Sequence, residues 1–323
     1  MEIYNAHILK ELIVKSELKH SYLAHGICDT AHLSNVLNGK RKLSTELFRD
    51  IVLKLGLDPS DYIHVQNLQD IEQIEKLSRL RGLLREKPDD YLERSAELIA
   101  QLEPKTHLFS IAQNQDLMNA RITLLFYNKH YSAVRNIALQ SLSMTRQVLA
   151  EKPRGMILLQ ILSKQLPRMI LSHREVGLFI KLAIGYGADP SSGTTELTHL
   201  QISNTILEKL WGSIAKLPDE NYEIVNVKIM CLVNYTNSLD LLKKRELVIE
   251  LCDVRILLCG RYWDGEHLPL FLARKGHNLV ETNQKTAGQE CLRKACLLFE
   301  GAGKTKELES TKKILAEIAS DCD

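Results

Sequence analysis

Residues 29–44 read DTAHLSNVLNGKRKLS. Asp29 or Thr30 can cap a helix start, and Leu33, Val36 and Leu37 recur on one face, as a core-facing helical stripe requires. Asn38-Gly39 is a left-handed helix stop. Thr30, Ala31, His32, Ser34 and Asn35 are therefore left pointing outward near the start of the helix. Just upstream, HSYLAHGIC (20–28) supplies a first short helix packed through Leu23 and Ile27, with Gly26 free to make the turn. Two short helices joined by such a turn form the arrangement that enters a DNA major groove. Asn can pair with an adenine edge, Ala and Thr methyl groups can touch thymine, and Ser or Thr can donate to bases or phosphates. Lys40, Arg41 and Lys42 suit phosphates, yet cations beside a helix C-terminus are favourable without DNA as well. Their contribution is affinity, with little sequence information.

Working outward, the apolar spacing predicts helices over 3–17, 20–26, 30–38 and 45–55, and a last one opened by Asp58-Pro59, with proline at the first helical position. Residues 1–65 form a helix-turn-helix domain on this reading, and 66–75 a helical linker that opens the longer helix QNLQDIEQIEKLSRLRGLLRE (66–86). From 76 to 323 helices recur in pairs every 35 to 45 residues: 70–86 with 89–102, 114–129 with 131–150, 154–165 with 174–187, 195–216, 220–241 with 244–262, 267–283 with 285–301, and 304–319. Such spacing predicts a helical-repeat solenoid. Ala133 and Ala138 in FYNKHYSAVRNIALQSL (126–142), and Ala287, Gly288 and Ala295 further on, place small residues where helices cross closely. Sustained period-two alternation is nearly absent, so the fold class is all-α. A helical bundle without repeats is the alternative.

Hydrophobic residues make up 45% of the 323, enough for a real core, and the formal charge of +2 gives no overall nucleic-acid field. Residues 1–65 balance eight Lys and Arg against eight Asp and Glu, so DNA affinity should be modest and salt-sensitive. No apolar run reaches the ~18 residues needed to span a bilayer, and the N-terminal helix intersperses Glu and Lys; the expected location is the cytoplasm. The seven cysteines (28, 231, 252, 259, 291, 296, 322) include no CxxC pair and are expected to be buried free thiols. GAGKT (301–305) imitates a phosphate loop, but Leu298 stands where that motif needs glycine, and the segment follows a helix rather than a strand. His20, His25 and His32 share no helix face with a Cys or carboxylate at metal-ligand spacing, and His267 and His277 have no nucleophile and acid placed by a recognisable motif. Neither a metal, a cofactor nor an enzyme is expected.

Leu23-Ala24, Gly26-Ile27-Cys28, Leu33-Ser34, Asn38-Gly39-Lys40-Arg41 and Ser44 together resemble the Cro/repressor-type helix-turn-helix, and the Gly-Ile-Cys turn is similar to that of the RRNPP regulators of the Rgg, PlcR and PrgX type. The motif covers about 25 residues closely, and the layout of a small helix-turn-helix domain before tetratricopeptide-like (TPR-like) repeats is similar over the full length. The resemblance implies a homodimer on a double-stranded DNA operator, with a short signalling (quorum-sensing) peptide on the concave face of the repeats altering DNA binding. It gives Ala31, His32, Ser34 and Asn35 base or phosphate roles and Lys40 to Lys42 phosphate roles. His32 and Asn35 depart from the longer basic or aromatic residues frequent there. Asn side chains both donate and accept, which suits the unpaired backbone of an extended peptide. Asn204, Asn234, Asn237 and Asn278, with Arg274 on the face of Asn278 to hold a carboxylate, are the candidates, expected on the first helices of successive pairs. A phage lysis–lysogeny receptor of the arbitrium kind shares this layout. The rival of another class is a protein-binding scaffold with a vestigial helix-turn-helix.

Overall fold

The computed structural model describes residues 6–62, 68–189, 198–219, 222–262 and 265–320, and no strand occurs among them. The predicted positions 3–5, 63–67, 195–197, 220–221 and Cys322 lie outside the described residues. The α-helices are α1 (Ala6–Ser16), α2 (His20–Ala24), α3 (Thr30–Leu37), α4 (Thr45–Lys54), α5 (Leu68–Glu86), α6 (Tyr91–Leu102), α7 (Ile111–Tyr127), α8 (Tyr131–Ser143), α9 (Gly155–Gln165), α10 (His173–Gly187), α11 (His199–Ile214), α12 (Tyr222–Leu241), α13 (Arg245–Tyr262), α14 (Leu268–Glu281), α15 (Lys285–Gly301) and α16 (Thr305–Ser320). The helix opened by Asp58-Pro59 is a single 3-10 turn, Pro59–Tyr62. Contacts divide the chain into two compact units, Met1–Leu124 and Leu125–Asp323.

In the first unit Ile8, Leu9, Leu12 and Ile13 of α1 meet Leu23 of α2, Leu33, Val36 and Leu37 of α3, and Phe48, Ile51 and Val52 of α4. Tyr62 and the first turns of α5, through Ile71 and Ile74, belong to the same core. From the next turn on, Leu77 and Leu80 join a second core with Ile99 and Leu102 of α6 and Leu117 and Ala120 of α7. One helix thus serves both cores. A polar clasp reinforces it: the Arg81 guanidinium donates to Asp61 and, at 3.4 Å, to Asp116, while Gln113 Nε2 donates to the Asp61 carbonyl at 3.0 Å.

In the second unit alternate helices lie side by side: α8 touches α10, α10 touches α12, and α14 touches α16. Between α12 and α14 Arg274 forms the link, donating to Val233 O at 3.1 Å and Thr236 Oγ1 at 2.8 Å. The intervening α11, α13 and α15 each pack on their chain neighbours. This row with α11, α13 and α15 behind it is TPR-like, and it makes α10, α12 and α14 the first helices of the pairs α10/α11, α12/α13 and α14/α15, so that α8 and α10, expected as second helices, stand in the first row.

Four connecting turns of the second unit share one geometry, with a residue of positive φ and the next N–H closing back onto the helix. They are Lys129 (φ 60°, His130 N–H to Leu125 O), Lys243 (57°, Lys244 to Leu239), Asn283 (63°, Gln284 to Leu279) and Gly303 (67°, Lys304 to Phe299). The pattern is a Schellman stop. GAGKT is the fourth copy of it, a helix break as its sequence context predicts.

The helix expected over 131–150 instead ends at Ser143 and resumes as a 3-10 turn, Gln147–Leu149. Ser143 and Thr145 hydroxyls donate to the carbonyls of Gln140 and Leu142, competing with continuation of the helix. Arg146 turns away to pair with the buried Glu175 at 2.6 Å. At the α14–α15 crossing a Cβ on Gly276 would lie 2.8 Å from Gly288 O, and one on Gly288 the same distance from Gly276 O. Ala138 and Ala295 are also fully buried, whereas Ala287 is exposed.

Candidate functional site

The turn between α2 and α3 is held by Gly26 at φ 77°. Asp29 caps α3, accepting the His32 N–H at 2.5 Å, and Leu33, Val36 and Leu37 are buried beneath it. Thr30 and Ala31 are exposed, while His32, Ser34 and Asn35 are half-buried beside them. The predicted reading face is therefore one surface of α3.

The cations are tied to that surface rather than trailing from it. The Asn35 carbonyl accepts the N–H groups of Lys40 at 2.8 Å and Arg41 at 3.2 Å, wrapping the chain around the end of α3. Arg41 Nη1 donates to His32 Nδ1 at 2.9 Å, which requires an imidazole with Nδ1 unprotonated and leaves Nε2–H as the outward donor. Ser34 Oγ accepts from Asn38 at 3.4 Å. All three of Lys40, Arg41 and Lys42 are exposed. Sequence reasoning missed Lys54: its ammonium donates to the His25 carbonyl at 2.5 Å and sits 5.2 Å from the centre of the Tyr22 ring, fastening α4 to the turn. Nothing in the spacing marked it, since the contact spans 29 residues. The Cys28 thiol is raised by burial and by the neighbouring Asp29, so it stays protonated.

In the second unit a cavity of 190 Å³ opens among α10, α11 and α12, walled by Phe126, Ile184, Leu200, Leu207 and Leu241 with Asn234, Asn237 and Ser238. Two of the four candidate asparagines therefore share one cavity. Asn234 Nδ2 donates to Met230 O at 2.8 Å, keeping its carbonyl oxygen available. Asn237, exposed, accepts from Arg274 Nη2 at 3.2 Å. Asn204 lies one layer below: it is buried on α11, a second helix rather than a first, and accepts the Ser238 hydroxyl at 3.0 Å. Asn278 is on a first helix but fully buried, accepting from Arg245 at 3.1 Å and donating to Arg274 O at 2.9 Å. These two asparagines brace the wall instead of facing the cavity. Burial pulls the Arg274 guanidinium below its usual range, against the opposing charges of Cys252 and Asp240.

Beyond Arg274 a second cavity of 570 Å³ lies among α12, α14, α15 and α16, with Asp240, His277, Lys306 and Glu307 among its polar walls. Among the described residues no helix is long and apolar enough to cross a membrane.

No protein-family model matches the sequence, and no curated protein does. Solved structures do match. PlcR of Bacillus thuringiensis, in complex with the peptide PapR7 and DNA, superposes with a TM-score of 0.58 at 15% identity, covering 96% of this chain and 98% of that one. ComR of S. thermophilus, in complex with DNA and its signalling peptide ComS, gives 0.53 at 12% identity, covering 97% and 99%. At such identities the likeness establishes the fold: this chain is all-α, a helix-turn-helix followed by TPR-like repeats, and it is similar in fold over nearly its whole length to these two regulators.

Proposed function

We propose that the chain is a cytoplasmic, homodimeric transcription regulator whose hold on its operator is set by a short signalling peptide bound to the first helices of the repeats. It acts by binding, not by catalysis. The observation that carries the reading is the α3 surface: a capped helix with Thr30, Ala31, His32, Ser34 and Asn35 along its outward side, and Lys40 to Lys42 folded back beside its end. The fold shared with two proteins solved on DNA and a peptide supports it.

In this reading α3 enters the major groove. His32 Nε2–H and the Asn35 amide meet base edges, and the three cations meet phosphates. Dimer half-sites would lie about 34 Å apart or a multiple of that. The peptide main chain would be held by Asn234 and Asn237, with Asn204, Asn278 and Arg274 fixing the wall. Moving a dimer from almost wholly unbound to almost wholly bound needs a peptide that favours one state about 10⁴-fold.

Selection of genomic fragments by the purified full chain, followed by anisotropy titration over a salt series, tests this. Asn35→Ala should relax preference at one base position. Lys40→Ala should weaken all sequences alike and lower the salt slope by about one. If no fragment binds in low salt, with or without peptide extracts, the head does not read DNA, and the scaffold reading replaces this one.

A further inference from the structure

Arg274 is a half-buried charge whose hydrogen bonds all go to uncharged groups. Its three acceptors, Val233 O, Thr236 Oγ1 and Asn237 Oδ1, are all neutral. Among the described residues it forms no ion pair, and the nearby Asp240 is engaged with Arg245 at 2.5 Å. A guanidinium so placed gains from an anion that reaches it, by a charge-assisted pairing that its uncharged acceptors do not supply. It also has N–H donors to offer, since arginine carries five.

The space for that anion is the 570 Å³ cleft that Arg274 lines with His277 and Lys306; its two carboxylates are Asp240, already engaged by Arg245, and Glu307. The first cavity, lined by Asn237, lies on the other side of the Arg274 to Asn237 hydrogen bond. At 190 Å³ it exceeds the ~150 Å³ that holds a benzene ring in an apolar core, so one Leu- or Phe-sized side chain fits. A mostly apolar cavity with Asn234 and Asn237 at its wall thus adjoins, across the Arg274 to Asn237 hydrogen bond, a cleft that carries the spare donors of Arg274 together with Lys306 and His277.

We infer that the cavity among α12, α14, α15 and α16 takes the carboxyl terminus of the regulating peptide, with the apolar side chain just before that terminus in the cavity beside Asn234 and Asn237. This rests on the peptide reading above and deepens it by fixing the direction of the chain and its last residues. A terminal carboxylate lies on the main chain itself, next to the amides that Asn237 would hold. The carboxylate of an Asp or Glu side chain would be carried away from them. Arg274 donates to it through its remaining N–H groups, as guanidinium and carboxylate pair in a plane. Lys306 and His277 add charge and a donor from α16 and α14.

The test uses the full chain and heptapeptide libraries synthesised as free acids and as C-terminal amides, with retained peptides identified by mass spectrometry. Free acids with a Leu, Ile or Phe near the terminus should be retained about tenfold or more over their amides. Lys306→Gln with His277→Gln should shrink that ratio while keeping the apolar preference, and Lys306→Arg should restore most of it. Equal retention of acids and amides overturns the inference and leaves the peptide reading standing. So does retention of amides that carry Asp or Glu in place of the free terminus. If neither library is retained above a serum albumin control, the peptide reading itself falls, and this inference with it.

Discussion

Gly288→Ala is the sharpest probe of how the cavity walls are held. The added Cβ would lie 2.6 Å from Val280 Cγ2, 2.8 Å from Gly276 O and 3.1 Å from Val280 N. The Val280 methyl can turn aside, but the Gly276 carbonyl is backbone of α14 and yields only if the two helices part by several tenths of an ångström. Overpacking of this kind costs about 1–3 kcal/mol, and the backbone clash places it in the upper half. Alanine returns about 1 kcal/mol of helix propensity. The net is a loss of about 1–2 kcal/mol, localised to α14 and α15. Gly177→Ala, in α10 with nothing within 4 Å of the new Cβ, carries only the propensity gain, so it should stabilise by about 0.5–1 kcal/mol. Hydrogen exchange of the α14 and α15 amides, with urea unfolding of the full chain, reads both. Gly276 sits between Arg274 and Asn278, so the displaced α14 should also weaken peptide binding. If Gly288→Ala protects α14 as well as the wild type does, the close crossing is not there.

Lys54→Met removes the cation holding the His25 carbonyl and the Tyr22 ring. It should weaken DNA binding evenly across sequences, with altered base preference as the contrary result in a competition assay. Arg146→Ala leaves Glu175, 3% exposed, without its partner, a loss on the order of 3 kcal/mol visible as a lowered urea midpoint. Burial alone would raise the Glu175 carboxyl, yet hydrogen bonds from Arg146, the Ser172 N–H and Thr145 outweigh it and hold it below its ordinary 4.5. A depressed carboxyl stabilises above its unfolded value, so that stability should drain away as pH falls below about 4.5. An acid titration in which Arg146→Ala loses as much stability as the wild type over that window would contradict the assignment.

The helix-turn-helix was legible because its signals are local: a cap, a glycine turn and a three-residue apolar stripe lie within sixteen residues of Asp29. Helix boundaries in the repeats were legible to within a few residues for the same reason. The repeated turn was not, because Lys129, Lys243 and Asn283 adopt the left-handed conformation that sequence reading assigns to glycine. The asparagines illustrate a different limit. Helical spacing placed Asn234 and Asn237 on α12, but nothing local distinguishes them from Asn278, whose burial depends on Arg245, 33 residues away. Spacing put Arg274 on the face of Asn278, but its acceptors Val233 O, Thr236 Oγ1 and Asn237 Oδ1 lie on α12, some forty residues back, where no local pattern reaches.

Where the head ends is also a question of packing. Helical spacing suggests a boundary near residue 65, yet Ile71 and Ile74 are 1% and 4% exposed within the head core, and Asp61 is gripped by Arg81 and Gln113 from α5 and α7. Two buried isoleucines contribute about 1.5–3 kcal/mol each, some 3–6 kcal/mol together. A 65-residue domain has about 3–10 kcal/mol in total at 0.05–0.15 kcal/mol per residue. A fragment ending at residue 65 should therefore be marginal or unfolded, while one ending at Leu124 retains both cores and the Asp61 clasp. Circular dichroism melts of the two fragments decide it. A cooperative transition in the short fragment matching the head of the long one would mean that α5 only tethers the helix-turn-helix. Loss of that transition means that the first turns of α5 are part of the helix-turn-helix head.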